Sequence, residues 1–371
     1  MVKSDILFSG YYGQQNTGDD AFVEVSAWGA KNIWKKSMVR YLAVHHHLPK
    51  TVEKVSGYPL TIPKTYKIQE NLLINSCDYL ISAGGSTFSK EIQLNSTRSR
   101  GLVAKQKRGG NLKLGAIGVS IGPFKTLKDE QSIITYLKSI DFLRVRDRRS
   151  YDFVRSLKLP YLPIEAFDLA ALLPDVYSNV RLREKTSIKK VIGISLCNYE
   201  SYIQDGDLNN ERRRNSYLSK LITHLNQTGN YFFQFFIING HPLKGDSKIT
   251  FETIERCKLV NNFSVASYNP NTSNVWEEIS KCDFMLSTRL HAAIFACFLE
   301  IPFMLVEYHL KCSDFLEDIG YCMDYRLYDA NVDLQIVIDN IIAILEDQSL
   351  YRMPSRTAEM KKLAYKNFES I

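Results

Sequence analysis

The sequence predicts an α/β protein built from two Rossmann-like, doubly wound domains facing a cleft. Three observations predict it. The chain has 371 residues, about twice the length of an ordinary domain. Short apolar runs alternate with amphipathic stretches, as βαβ units require. The alternation occurs twice, once on each side of a polar, basic stretch, "DVYSNVRLREKTSIKK" at 175–190, which reads as a linker.

In the first half, strands are expected at "DILFSG", "VRYLAV", "DYLISAGG", "KLGAIGVS" and "FLRVRD", with helices after several of them, such as "DAFVEVSAWGAKNIWKK". In the second half they are expected at "KVIGISL", "YFFQFFIING", "FSVASY", "DFMLSTRL" and "IPFMLVEY". The domains are therefore placed at 1–178 and 188–350, with 351–371 a C-terminal helix that packs back on the body. Sheets of this kind bind ligands at the carboxyl ends of their strands, so functional residues are sought there.

Composition bounds the class. Hydrophobic residues make up 45% and charged residues 23%, close to the globular average. The apolar run near the start, Ile6 to Phe8, is far too short for a signal peptide, and no run is long enough for a membrane span. A cytoplasmic location is expected, with the inner face of the cell membrane as the nearest alternative. Seven cysteines without a CxxC pair read as reduced structural thiols. The net charge of +7 suits an anionic small substrate or peripheral association with an acidic membrane. The densest basic cluster, "RVRDRRS", lacks interleaved aromatics, so nucleic acid is not an expected partner. The three consecutive histidines at 45–47 do not converge on one ion in a strand, and no metal is expected.

The densest chemistry lies in "CDFMLSTRLHAAIFACFLEIPFMLVEYHLK", 282–311. A strand ends at Leu286, Ser287-Thr288-Arg289 form a turn, and Leu290 and His291 open a helix. A helix start offers free N–H groups and partial positive charge to an anion, Arg289 adds a planar fork, and His291 can supply a proton near neutral pH. The competing reading makes Arg289 half of a structural ion pair and His291 a helix cap or core residue. Lys311 follows the next strand and can return to the same rim or lie in solvent. In "DFLRVRDRRSYDFV", Arg144 and Arg146 point to one face of an extended strand, as a second anion site or as a salt-bridged strand end, and Asp147 or Ser150 caps the helix beyond. Glycine-rich turns follow three strands: "GYYGQQNTGDD", "SAGGSTFS" and "AIGVSIGPF". "NGHPLKGD", 239–246, follows the strand "YFFQFFIING" and reads as an edge of the cleft or, more simply, as a surface turn.

In order and rough spacing, "GYYGQQNTGDDA", "AGGS", "SIGP", "RVRDRRS", the Asp168-x-Ala170 pair, "STRLHAAIFA" and Tyr308-x-x-Lys311 resemble the polysaccharide pyruvyl transferase family. The resemblance implies a fold like that of GT-B glycosyltransferases. It implies transfer of pyruvate from phosphoenolpyruvate to two hydroxyls of a sugar, forming a ketal on a cell-surface polysaccharide or its lipid-linked precursor and releasing phosphate, with no metal or organic cofactor. By position, Arg146, Arg289 and His291 carry catalysis. Arg146, Ser287, Arg289, Leu290, His291 and Lys311 bind the donor. This sequence departs from the family pattern at Ala83, where a glycine is usual, and at Leu310, where a proline is frequent.

The opening loop does not carry the G-x-G-x-x-G spacing of a dinucleotide site, and Asp19 and Asp20 at the helix start would repel a phosphate. It is therefore expected on the acceptor side, where Asn16 and Asp19, with Gly84, Gly85 and Ser86, contact sugar hydroxyls. Helix capping is the plainer role for Asp19. The rival enzyme is a GT-B nucleotide-sugar glycosyltransferase, which needs a carboxylate for the ribose, and Glu307 is the candidate. A non-catalytic subunit of a polysaccharide complex would instead show a degraded site.

Overall fold

Two runs of buried aliphatic strands organise the molecule. The computed structural model describes residues 3–179, 189–203, 207–228 and 231–371, and the chain divides into two units. One comprises Met1–Gln14, Asp19–Val176 and Ala358–Ile371, and the other Gln15–Gly18 and Tyr177–Thr357. They are called the N-terminal and C-terminal units below. Of the predicted linker at 175–190, residues 180–188 lie outside the described residues.

The N-terminal unit holds strands β1 (Ser4–Ser9), β2 (Val39–Tyr41), β3 (Cys77–Phe88), β4 (Lys113–Ile121), β5 (Phe142–Val145) and β6 (Ile164–Glu165). They form one sheet in the order β2-β1-β3-β4-β5-β6, every pair parallel. Helices α1 (Thr17–Asn32), α2 (Tyr66–Ser76), α3 (Thr97–Lys107), α4 (Leu127–Leu137), α5 (Arg148–Ser156) and α6 (Leu173–Val176) connect or follow them. Local chemistry sets their starts. Thr126 and Asp129 form a reciprocal capping box at α4, and Asp147 accepts the Ser150 N–H at 2.8 Å to begin α5. Leu7, Leu80, Leu114, Val119, Leu143 and Val145 meet Ile133 and Leu137 of α4 in the core. Strands covered on both faces need continuous apolar runs, and β4 is buried everywhere beyond its first residue.

The C-terminal unit holds β7 (Lys190–Ser195), β8 (Tyr231–Phe236), β9 (Phe263–Ala266), β10 (Phe284–Ser287) and β11 (Phe303–Leu305), ordered β11-β10-β7-β8-β9 and again all parallel. Its helices are α7 (Glu200–Ile203), α8 (Leu208–Thr228), α9 (Ser247–Arg256), α10 (Thr272–Ser280), α11 (Leu290–Phe298), α12 (Leu310–Asp318) and α13 (Leu334–Glu346). The last helix, α14 (Thr357–Tyr365), and the tail beyond it group with the N-terminal unit.

The tail changes the reading of Arg144. Its side chain does not share a basic rim with Arg146. It is buried, lies 4.7 Å from the Phe142 ring centroid, and donates from Nη2 to the carbonyls of Glu369 at 3.0 Å and Ser370 at 3.1 Å. The physical reason is the 366–371 segment, which covers this face and gives the guanidinium backbone acceptors. Asn367 anchors the same segment, accepting the Gly118 N–H at 2.7 Å and donating to the Phe167 carbonyl at 2.8 Å.

Candidate functional site

In the C-terminal sheet the strand order reverses between β7 and β10, and a doubly wound sheet offers its binding crevice at such a point. The ends of these two strands are locked together. Thr288 donates its N–H to the Ser195 carbonyl and accepts the Cys197 N–H on Oγ1, at 2.8 and 2.7 Å. Ser287 is fully buried, and its hydroxyl donates to the Arg289 carbonyl at 2.7 Å. That proton is spent on shaping the turn, so toward a ligand Ser287 has only acceptor capacity. Leu290 is buried as well and can offer a ligand only its backbone.

Arg289 is the N-cap residue of α11, and its guanidinium binds Asp246 in a fork. Nε donates to Oδ1 at 3.0 Å and Oδ2 at 3.1 Å, and Nη2 also reaches Oδ1. Burial pulls against the cation, but the Asp246 carboxylate overrides it and holds Arg289 above its ordinary range. Asp246 is fully buried and fixed in turn by Asn239, whose N–H it accepts at 2.8 Å and whose carbonyl accepts its own N–H at 2.8 Å. Within 239–246, Pro242 to Lys244 form an exposed turn, and the buried Asp246 at its end supplies the counter-charge for Arg289. An Asp just before a helix reads as a cap, and Asp246 does precede α9, but its carboxylate makes no cap hydrogen bond there.

His291 lies in the first turn of α11. A segment of the opening loop packs on it. Gln15–Gly18 belong to the C-terminal unit, with Thr17 N–H donating to the Ile238 carbonyl at 2.9 Å and Gly240 N–H to the Gln15 carbonyl at 2.7 Å. Asn16 bridges Asn239 in antiparallel fashion. Its side-chain carbonyl accepts the Gly18 N–H at 3.1 Å, in the first turn of α1. Gly18 then lies so close to the imidazole that a Cβ there would collide with Nδ1.

Lys311 sits in the first turn of α12, whose cap is His309, accepting the Lys311 N–H at 3.1 Å. Leu310 is the first residue of that helix, a position where proline is favoured but not required. Lys311 Nζ lies 5.5 Å from the Tyr308 ring centroid, and the buried Arg214 lies 5.3 Å from the same ring. Burial pushes the Tyr308 phenol well above its ordinary range, and it stays protonated. Arg214 is held by Glu200 and Asp329. Glu307 is not open to a ribose, because both its oxygens engage Arg326 and it also accepts from Ser313 Oγ at 2.8 Å.

The N-terminal unit carries the second set. Arg146, just past β5, is 6% exposed. Its Nη1 meets Asp168 at 2.8 Å, Nε donates to Ser120 Oγ at 2.8 Å, and Nη2 donates to Ser86 Oγ at 3.0 Å. Asp168 also accepts the Ala170 N–H at 2.9 Å. Gly84 and Gly85 have φ of +76° and +81°, which favours glycine. Ala83 is absent from the left-handed positions, so the alanine costs nothing conformationally. Its carbonyl accepts the Tyr12 hydroxyl at 2.8 Å. Asp19 lies in the first turn of α1 beside the opening loop. Among the described residues no group of three metal-ligating side chains converges, and no helix is long and apolar enough to cross a membrane.

A family model described as polysaccharide pyruvyl transferase matches residues 16–309. No curated protein matches the sequence. Among solved structures, the chain is similar to the UDP-GlcNAc 2-epimerase of Methanocaldococcus jannaschii, with a TM-score of 0.59, 11% identity and coverage of 97% of this chain and 99% of that one. It is equally similar to the UDP-GlcNAc 2-epimerase of Neisseria meningitidis bound to UDP-GlcNAc, with a TM-score of 0.59, 12% identity and coverage of 97% and 98%. Anabaena HepE in complex with UDP and glucose gives 0.57, 12%, 99% and 96%. At such identities the likeness is one of fold, and the fold is GT-B-like, two Rossmann-like domains with parallel sheets.

Proposed function

We propose an activity that proceeds from one premise: the chain belongs to the polysaccharide pyruvyl transferase family. It moves the pyruvyl group of phosphoenolpyruvate onto two hydroxyls of a sugar in a cell-surface glycan or its precursor. The observation that carries the proposal is the Asp246–Arg289 fork at the mouth of α11, two residues before His291. A cation held in a fixed plane beside a helix start matches a small molecule bearing phosphate and carboxylate.

The atoms balance as follows. His291 delivers a proton to C3 of the enol, and a sugar hydroxyl adds to C2. The C2–O bond to phosphate breaks, Arg289 meeting the departing charge, and a second hydroxyl adds to C2 to close the ketal. Of the two hydroxyl protons, one replaces the proton given by His291 and the other leaves on phosphate. Lys311 adds positive charge to the donor side. In this reading Arg146 is a further catalytic cation, fixed by Asp168, and Asn16, Asp19, Gly84, Gly85 and Ser86 contact the acceptor. No cofactor enters the scheme, and the enzyme works in the cytoplasm. A nucleotide-sugar donor is disfavoured by Glu307, whose carboxylate is committed to Arg326.

The test is incubation with phosphoenolpyruvate and candidate glycans, following phosphate release, together with melting of the protein with phosphoenolpyruvate or with UDP- and GDP-sugars. Stabilisation by phosphoenolpyruvate alone is expected. Stabilisation by a nucleotide sugar without phosphate release would overturn the proposal.

A further inference from the structure

We propose that the outer face of α2 and the loop before it form a docking surface for an anionic membrane. Leu60, Ile62, Ile68 and Leu72 are 53%, 53%, 62% and 59% exposed, four large aliphatic side chains within thirteen residues of chain. Solvent exposure of such a group is unfavourable unless something covers it.

The loop is held in this arrangement. Gln69, on the buried side of α2, accepts the Leu60 N–H on Oε1 at 2.9 Å and donates from Nε2 to the Leu60 carbonyl at 2.8 Å. The same Nε2 donates to Thr65 Oγ1 at 2.8 Å, and Thr65 donates to the Ile62 carbonyl at 2.8 Å. Backbone polarity is thereby satisfied inward while the side chains of Leu60 and Ile62 stay outside. On the helix, Leu73 and Ile74 supply the core contacts. Ile68 and Leu72, four residues apart, share the opposite face, so they are not needed to pack the domain.

Charge selects the occupant. Lys64 and Lys67, next to these aliphatics along the chain, are exposed. Between residues 57 and 76 the sequence has one carboxylate, Glu70, which is buried and paired with Arg100. The uncommitted charge of this stretch is therefore positive. Aliphatic side chains flanked by lysines suit the boundary between acyl chains and anionic headgroups, where each kind of group finds its complement. The proposal draws its purpose from the polysaccharide reading, since a lipid-linked glycan is presented at such a surface, but its test does not require activity.

The experiment is flotation of the full chain with vesicles of phosphatidylcholine alone and of phosphatidylcholine mixed with phosphatidylglycerol. Binding is expected to the mixed vesicles and to weaken as salt rises. Ile68→Glu combined with Leu72→Glu is expected to lower the bound fraction at least about tenfold, with the melting temperature unchanged because both side chains are exposed. Lys64→Glu with Lys67→Glu, which leaves every aliphatic in place, is expected to lower it and to remove the salt dependence. Three outcomes would overturn the proposal: no flotation with either vesicle, undiminished binding by both variants, or a dimer in light scattering that Ile68→Glu with Leu72→Glu dissociates, which would make the face a contact between copies. Loss of phosphoenolpyruvate turnover on a soluble glycan would count against the proposed activity and leave the flotation result standing.

Discussion

Gly18 packs directly against the imidazole of His291, leaving no room for a Cβ between them. The constraint is space, because Gly18 is not among the left-handed residues. Gly18→Ala must therefore push the imidazole or the loop aside. Misplacing a proton donor, the role proposed for His291, costs roughly a hundredfold in rate, so Gly18→Ala is expected to lower kcat by about that factor with modest loss of stability. His291→Ala should lower it by about 10²- to 10⁴-fold. Steady-state phosphate release compares the two, and an unchanged Gly18→Ala rate would refute the positioning role.

Asp246→Asn keeps the shape of the Arg289 partner and removes its charge. Breaking a buried pair leaves an uncompensated ion, at a cost of roughly 3 kcal/mol. The variant is expected to unfold at lower urea concentration and to bind phosphoenolpyruvate with altered affinity, because Arg289 is no longer held in plane. Removing both members, as Asp246→Leu with Arg289→Met, should recover part of the stability and none of the turnover.

Arg146 makes three directed contacts, to Asp168, Ser120 and Ser86, which a lysine cannot reproduce with one ammonium group. Arg146→Lys preserves charge and loses the fork. A fall in kcat/KM of about ten- to a hundredfold is expected, and a lysine variant with full activity would show that charge alone suffices.

Much of this was legible in the sequence, and the remainder was hidden for identifiable reasons. Apolar runs between glycine-rich turns marked ten of the strands, but β6 has only two residues, too few for any periodicity. Arg289 and His291 were visible because strand end, turn and helix start lie within a few residues. Asp246 was not, since it is 43 residues away from Arg289 and its local context suggests a helix cap. In the opening loop, Asp19 and Asp20 at the helix start are the sequence's argument for seeking the phosphate elsewhere. That Gln15–Gly18 pair with Ile238–Gly240, just past β8, is a long-range fact that no local pattern carries.

Burial pushes the thiols of Cys77, Cys297 and Cys312 up to about 12. A raised acid in the folded state means that the unfolded chain loses its protons first, near the ordinary value of 9.0. The stability from these groups is complete below about pH 9 and is lost as pH rises toward 12, by about 1.4 kcal/mol per pH unit for each thiol. Denaturant midpoints at pH 8 and pH 10.5 should show a clear fall (~1.4 kcal/mol per unit per group), and equal midpoints would contradict the assignment. In native protein the partly exposed Cys322 should react with a thiol reagent before the six buried cysteines.

Gly84 and Ala83, neighbours in β3, should respond differently to substitution. Gly84 combines a φ of +76° with a ring against it, since a Cβ there would collide with Phe22. Gly84→Ala therefore incurs backbone strain of about 1–3 kcal/mol in addition to displacement of Phe22, which is itself buried and lies 6.0 Å from the Arg146 guanidinium. Strain and displacement act on the same group, so turnover should fall along with stability. Ala83 has neither constraint, and Ala83→Gly, which restores the glycine usual in the family, should change stability by about 1 kcal/mol or less and leave turnover intact. If Ala83→Gly instead alters which acceptor is used, with folding unchanged, then the alanine has been placed there for the acceptor and not for the backbone.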